Sequence, residues 1–331
     1  PYAEQGVGLE VYATHEKGMG GRIKTIPDDF FVEEIVHLPA PGDGNHVIAR
    51  VTSYNWETNA LLTVLARYFH ISRDEIGIAG MKDKRAVTVQ LMSFPVPIHK
   101  LSSAAIKRVM IEVFYQTLRP IYRGQLKGNR FLVIIRNVDS TVNHAERIRD
   151  HIMAIGGMPN FFGIQRFGII RPITHLIGKY ITAANFERAV MSYAANPLHG
   201  EPPSSFQARK FLEETRNFAG ALERYPNNMQ FERVLVGHLA THKEDWIGAL
   251  QRLPLNLTRM FIHAYQSYIF NRILSKRIKN HIPLNEAVVG DIVLPVDRSA
   301  ELQDRGIEVT NRNLSKINRQ NARGNSYPTA P

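Results

Sequence analysis

The sequence predicts an α+β protein of two domains: a largely antiparallel sheet domain over residues 1–158, then a mostly helical one over 159–331. Three observations predict it. As far as Asp139, short runs of β-branched and aromatic residues alternate with Gly, Pro and Asp punctuation. Beyond Gly156-Gly157-Met158-Pro159-Asn160, apolar residues recur at helical spacing instead. A chain of 331 residues is also long for a single core.

In order along the chain, strands are expected at 30–35, 46–51, 86–94, 110–117 and 130–138. A helix at 56–70 interrupts them, with Leu61, Val64, Leu65, Tyr68 and Phe69 at helical spacing and Thr58 or Asn55 as its cap. A second helix is expected at 141–155, with Val142, Ala145, Ile148 and Ile152 on one side. Strands packed under few helices make an α+β domain. Further helices are expected at 183–194, 206–218, 230–240, 246–253 and 257–279, then a strand at 288–296 and a helix at 310–321. The stretch 196–205, with Pro197, Gly200, Pro202 and Pro203, reads as a loop.

Composition narrows the function. The chain has no cysteine, which excludes disulfides, thiolate metal sites and cysteine nucleophiles. No apolar run approaches the roughly 20 residues needed to span a bilayer, and residues 1–10 lack a secretory signal layout. A cytoplasmic protein is expected, with no membrane association and no protein partner implied. The formal charge of +11 points toward a polyanion. Its distribution says more: Arg119, Arg123, Lys127, Arg130 and Arg136 follow one another with no acidic residue between them. Lys82, Lys84 and Arg85 form a second knot. One-signed stretches beside glycine turns resemble phosphate contacts more than an ordinary solvated face.

Three clusters could carry chemistry. In Gly80-Met81-Lys82-Asp83-Lys84-Arg85-Ala86-Val87-Thr88, a carboxylate stands at a strand end among cations, which favour its ionised form. Such a group can act as nucleophile or base; the plainer reading is a charged hairpin turn. In Gly124-Gln125-Leu126-Lys127-Gly128-Asn129-Arg130-Phe131, glycines allow close approach, Asn129 both donates and accepts, and Phe131 offers a flat face. The alternative is a β-turn with an ordinary core phenylalanine. In Pro159-Asn160-Phe161-Phe162-Gly163-Ile164-Gln165-Arg166-Phe167-Gly168, aromatics with Asn160, Gln165 and Arg166 make a stacking and hydrogen-bonding surface suited to unstacked bases. Burial between domains is the alternative for these phenylalanines.

In this order and spacing, the three clusters resemble the signature segments of the TruD family of tRNA pseudouridine synthases. The family pattern G-x-K-D-K-x-A-x-T matches residues 80–88, L-K-G-N-x-F matches 126–131, and the proline, asparagine, aromatic, F-G-x-Q-R-F-G segment matches 159–168. An earlier stretch, Lys24 to Glu34, is similar to the family's lysine, P-E/D-D-F and V-x-E opening. The resemblance implies a pseudouridine-synthase catalytic domain interrupted by a helical insertion. It implies an isomerase acting on tRNA, usually at uridine thirteen of the D-arm, with Asp83 as catalytic carboxylate. Phe131 would stack on the target base, Asn129 would hold the aspartate or the nucleotide, and Lys24 would lie near the substrate. Lys82, Lys84, Lys127, Arg130, Asn160, Phe161, Phe162, Gln165 and Arg166 complete the expected RNA-binding set. The return to the catalytic domain that the resemblance also implies is not visible before Pro331.

The chemistry suits this inventory. Breaking N1–C1′, turning the uracil and joining C5 to the same carbon neither oxidises nor adds a group, so no cofactor and no metal are expected. It needs a carboxylate beside the sugar, as glycosidases do. A non-catalytic basic RNA-binding protein of the same fold is the rival reading, and it leaves Asp83 without a purpose. A nuclease would cluster carboxylates or histidines, whereas the 13 histidines here are scattered. A methyltransferase would want a glycine-rich strand–loop–helix, and none is apparent.

Overall fold

The computed structural model describes residues 2–295, 305–322 and 326–329. The polypeptide packs as two units, Lys17–Ala145 and a second that joins Pro1–Glu16 to Glu146–Pro331. The sequence places its border at residue 158, whereas the packed units divide at Ala145/Glu146, inside the helix Val142–Ala154. The N-terminal stretch goes with the helical unit because Val7 buries beside Phe167 and Ala264.

The Lys17–Ala145 unit is built on a six-stranded sheet. After β1 (Gly20–Arg22) come β2 (Phe30–Val36), β3 (His46–Tyr54), β4 (Gly77–Ile78), β5 (Val87–Phe94), β6 (Val109–Thr117), β7 (Leu126–Val133) and β8 (Arg136–Val138). The sheet runs β6-β3-β5-β2-β7, and β4 also pairs with β5. All its pairings are antiparallel except β2 with β5. β1 and β8 form a separate antiparallel ribbon. This is the expected α+β architecture.

Alternation places Val47, Ala49 and Val51 of β3 with Met92 and Phe94 of β5 on one face, where the helix Thr58–Phe69 covers them with Leu61, Leu62, Leu65 and Phe69. Each Val, Leu, Met or Phe side chain so buried contributes about 1.5–3 kcal/mol. The other face packs Ile48 with Leu91, Tyr115 and Ile121. Glu57, not Thr58 or Asn55, caps the helix: its carboxylate accepts from the amides of Asn59 and Ala60. Thr58 is committed elsewhere, as described below.

The strand expected at 130–138 is a second difference. β7 starts at Leu126 and pairs with β2 along its length, so the glycine-containing Leu-Lys-Gly-Asn stretch is ladder and not turn. The chain then bends, because the Ile134 amide donates to the Asp29 carbonyl and Arg136 leaves to join β1.

In the second unit, the helices Thr174–Thr182, Phe186–Ala194, Gln230–Thr241 and Leu255–Lys279 share a core of Ile177, Val190, Leu235, Leu239 and Phe261. Pro203–Thr215 and Phe218–Arg224 close on Leu212, Tyr225 and Val236. Trp246–Gln251 joins the first of these cores through Leu250. Thr174–Thr182 is a helix that the sequence reading did not include, and Gly178 stands in its middle. A Cβ there would stand 2.0 Å from the Phe261 carbonyl oxygen, so the glycine lets two helices touch. Toward the C-terminus, β9 (Ile292–Pro295) pairs antiparallel with β10 (Ile307–Glu308) and β11 (Ser326–Thr329), with the helix Leu314–Asn321 alongside. The strand expected at 288–296 is thus shorter, and its last position lies outside the described residues.

Candidate active site

Asp83 lies in the loop between β4 and β5. β4 ends early because β5 must share one edge: Glu33 of β2 is opposite Val89, and Ile78 of β4 is opposite Met92. Gly77 is required there, since a Cβ would stand 2.2 Å from the Ile121 carbonyl oxygen. The loop that follows is pinned at several points. The Lys82 amide donates to Thr58 Oγ1 at 2.9 Å, and the same hydroxyl donates to the Lys82 carbonyl at 3.3 Å. Gln90 Nε2 donates to the Gly80 carbonyl at 3.1 Å. Asp83 is therefore carried by a short segment tied to the first turn of the Thr58–Phe69 helix. Its side chain is 54% exposed, and Lys24 Nζ approaches Oδ1 to 3.0 Å.

Lys24 is held with φ of 53°, in the left-handed region that a non-glycine residue seldom adopts. That backbone costs about 1–3 kcal/mol, the kind of strain that gathers at working sites. Its ammonium also sits 3.8 Å from the Phe30 ring centroid. An ion pair this exposed is worth at most about 1 kcal/mol of stability. Its effect is on position: it holds a cation against the one carboxylate the loop presents.

The neighbouring sheet face supplies the rest. In the β2–β7 ladder Val32 is opposite Phe131 and Glu34 is opposite Asn129, so these four side chains share a face. Phe131 is 54% exposed and tilts against Phe30, with ring centroids 5.7 Å apart. Contacts thus run from Asp83 through Lys24 and Phe30 to Phe131. Phe131 sits in mid-strand on β7, and β2 lies between β7 and β5. The strand that follows Asp83 and the strand that carries Phe131 are therefore not neighbours in the sheet.

Other expected residues diverge. Lys82 turns inward: its side chain is 4% exposed, with Nζ 3.2 Å from Glu34 Oε1 and 2.7 Å from Asn129 Oδ1. The sequence expects it among the RNA contacts; the structure places its ammonium against these two buried or half-buried partners. Arg130 alternates to the opposite face from Phe131, where it pairs with Glu33 at 3.3 Å. Lys127 and Lys84 are exposed. Arg85 donates to the Thr25 carbonyl, tying the loop to the segment that carries Lys24.

The third motif belongs to the other packed unit. Phe167 is fully buried beside Val7 and Ala264 of its own unit, while Phe162 is 40% exposed. Asn271 holds Phe162 by both its amide and its carbonyl, and Arg166 donates to Ser267 Oγ at 3.2 Å. Asn160, Gln165 and Arg166 are exposed and Phe161 is half-buried.

Sequence reading missed Phe30, Glu34 and Thr58 as parts of the site. Glu34 carried a signal: in Phe30-Phe31-Val32-Glu33-Glu34 it occupies the inward parity of Val32, where a charge demands a partner. Beside the loop, a groove of about 450 Å³ is lined by Tyr54, Trp56, Glu57, Lys84, Lys107 and Arg108. Its electrostatics are set locally. The Asp28 carboxylate accepting from Tyr54 pushes that phenol up, and the Asn59 and Ala60 amides hold the Glu57 carboxyl down. The described residues contain no group of three His, Asp or Glu that could hold a metal ion, and no helix long and apolar enough to cross a membrane.

Comparison with known proteins gives a consistent result. A family model described as tRNA pseudouridine synthase D (TruD) matches residues 6–331. A curated "Probable tRNA pseudouridine synthase D" from Methanosarcina acetivorans is 39% identical over 338 residues, taking in all of this chain and 76% of that protein. A protein of the same name from Archaeoglobus fulgidus is 41% identical over 290 residues, which are 87% of this chain and 70% of the other. A crystal structure provisionally named as tRNA pseudouridine synthase D (TruD), from Methanosarcina mazei, matches with a TM-score of 0.92 at 37% identity. It covers 99% of this chain and 76% of that one.

Proposed function

Because the chain belongs to the TruD family of tRNA pseudouridine synthases, we propose that Asp83 is the carboxylate with which it converts a tRNA uridine to pseudouridine. The target we assign is uridine thirteen of the D-arm. The observation that carries the reading is the exposed Asp83 carboxylate, tied to a helix and a sheet and linked through Lys24 and Phe30 to a half-exposed Phe131.

A uridine flipped from its stack costs a few kcal/mol, which stacking on an aromatic ring offsets by about 1–3 kcal/mol. With the uracil on Phe131, the ribose comes to the carboxylate. Three routes are open to a carboxylate there: attack at C1′, addition to C6 of the base, or removal of a sugar proton. Each ends with N1–C1′ broken, C5–C1′ made, the C5 proton released and a proton from solvent taken up at N1. Lys24 keeps the carboxylate oriented, and the aromatic pair limits the water that would hydrolyse a glycosyl intermediate. On the domain level, Lys17–Ala145 supplies the catalytic sheet and the helical unit is the family's insertion.

The test is tritium release from tRNA labelled at uridine C5. The wild-type chain should release it with no added cofactor. Asp83→Asn, nearly isosteric but unable to attack or take a proton, should release none while binding tRNA within about threefold of wild type. Release near the wild-type rate from that variant would remove Asp83 from the reaction. Mapping the product by carbodiimide-dependent reverse-transcription stops tests the assignment to position thirteen.

A further inference from the structure

We infer that Lys82 is a positioning residue, which fixes the direction of Asp83 and the amide orientation of Asn129 from beneath the site and does not itself contact RNA. The inference rests on the active-site reading above and deepens it.

Lys82 and Asp83 are adjacent, yet one side chain is 4% exposed and the other 54%. The backbone between them is held from both sides of the Lys82 residue by the single Thr58 hydroxyl. With the Lys82 stem drawn under the loop, the next side chain is directed outward. The anchor it is drawn to is itself immobile. Glu34 is fully buried, and its Oε2 accepts the Leu91 amide at 3.0 Å, in the stretch of β5 between its β2 and β4 pairings. A carboxylate thus takes the place of a missing strand carbonyl, and its other oxygen faces the Lys82 ammonium at 3.2 Å. A lysine so buried cannot reach a phosphate without stranding that carboxylate.

Asn129 follows from the same contact. An asparagine amide can be flipped without changing its shape, but an ammonium only donates. With Lys82 Nζ at 2.7 Å, the atom facing it must be Oδ1. The Nδ2 donors then point away from Lys82 on the face that carries Phe131. A nucleotide stacked there meets Asn129 as a donor, which matches a uracil carbonyl oxygen. Leu91, Glu34, Lys82 and Asn129 are thus joined in series, by a hydrogen bond at each end and by the Glu34–Lys82 ion pair between them.

The test is Lys82→Met in the full chain, which keeps the apolar stem and removes the charge. kcat should fall on the order of 100-fold, as for a misplacement of about 1 Å, with KM for tRNA within about threefold of wild type. The slope of log affinity against log salt should not change. A slope flattened by about one unit with kcat unchanged would make Lys82 a phosphate contact and overturn the inference. Should the variant fail to fold, amine labelling of the wild-type protein decides. Lys82 should stay unlabelled in the free protein while Lys84 and Lys127 react; labelling of Lys82 overturns the inference. The two readings fail separately: an active Asp83→Asn sinks the catalytic assignment, whereas an unimpaired Lys82→Met beside a dead Asp83→Asn sinks only this one.

Discussion

At Phe131 the sheet displays a ring that folding alone would bury. Complete burial of such a side chain contributes about 1.5–3 kcal/mol, and the fold forgoes part of it by placing Phe131 on the outermost strand of the sheet, 54% exposed. A ring left in that state is available for a ligand. Phe131→Ala should lower single-turnover tritium release at least about tenfold, the loss of one base stack. Because the ring is half in water, the melting temperature should move little. Tyrosine keeps the flat face and should restore most of the rate; an alanine variant as fast as wild type would end the stacking role. Lys127 and Arg130, one-signed in sequence, differ in their surroundings: Lys127 is exposed, whereas Arg130 pairs with Glu33. Lys127→Ala should flatten the salt dependence of tRNA binding by about one unit. Arg130→Ala should flatten it less, since Arg130 is already paired with Glu33 on the face away from Phe131. Equal slopes for the two variants would contradict that division.

Among the elements, the decisive joint is between the Thr58–Phe69 helix and the loop after β4. Thr58 is buried, and its hydroxyl both accepts from and donates to Lys82. It can do so because Glu57 caps the helix in its place. Thr58→Val preserves shape and removes both bonds, leaving a part-buried amide without its acceptor. The expected cost is about 1–3 kcal/mol of stability, read by denaturant unfolding. Hydrogen exchange at the Lys82 amide should accelerate, and kcat should fall because the carboxylate on the next residue loses its mount. Unchanged exchange at Lys82 would show that the loop is held by something else. A helix start is thus used as a clamp on a loop, and strand pairing reaches the same loop through Gln90.

For the molecule as a whole, the ion pair that ties the ribbon to the sheet gives folding an acid dependence. Arg136 of β8 approaches the Asp29 carboxylate with three contacts between 2.6 and 2.9 Å, and Asp29 is fully buried just before β2. Its hydrogen bond from Arg136, with help from the Ile26 amide, holds the carboxyl below the usual range. Since the folded value is lowered, the contribution is complete above the unfolded carboxylate pKa of about 3.9. It is lost as pH falls through the lower folded value. Asp29→Asn should be less stable than wild type at pH 7 and lose less stability between about pH 5 and pH 2. Parallel losses in the two proteins over that window would place the acid sensitivity elsewhere. Acidification also raises a net charge already at +11, adding self-repulsion to the same transition.

By itself the sequence determined the inventory and the local periods. The alternation in β3, the helical spacing of Leu61, Leu65 and Phe69, and the ordered motifs around Asp83, Asn129 and Phe131 were all legible, because dihedral preference and side-chain period are properties of neighbouring residues. What folded geometry alone decided was which polar groups meet. Lys24 and Asp83 are 59 positions apart and Lys82 and Asn129 are 47 apart, and each pair is joined by the placement of β2 between β5 and β7. Period two states that Asn129 and Phe131 share a face and that Arg130 does not; it does not state which face receives the loop. The knot of Lys82, Lys84 and Arg85 looked uniform for the same reason, since charge is written in composition but burial is not. Lys82 is drawn inward only because register sets Glu34 beneath it, and a buried carboxylate requires a cation.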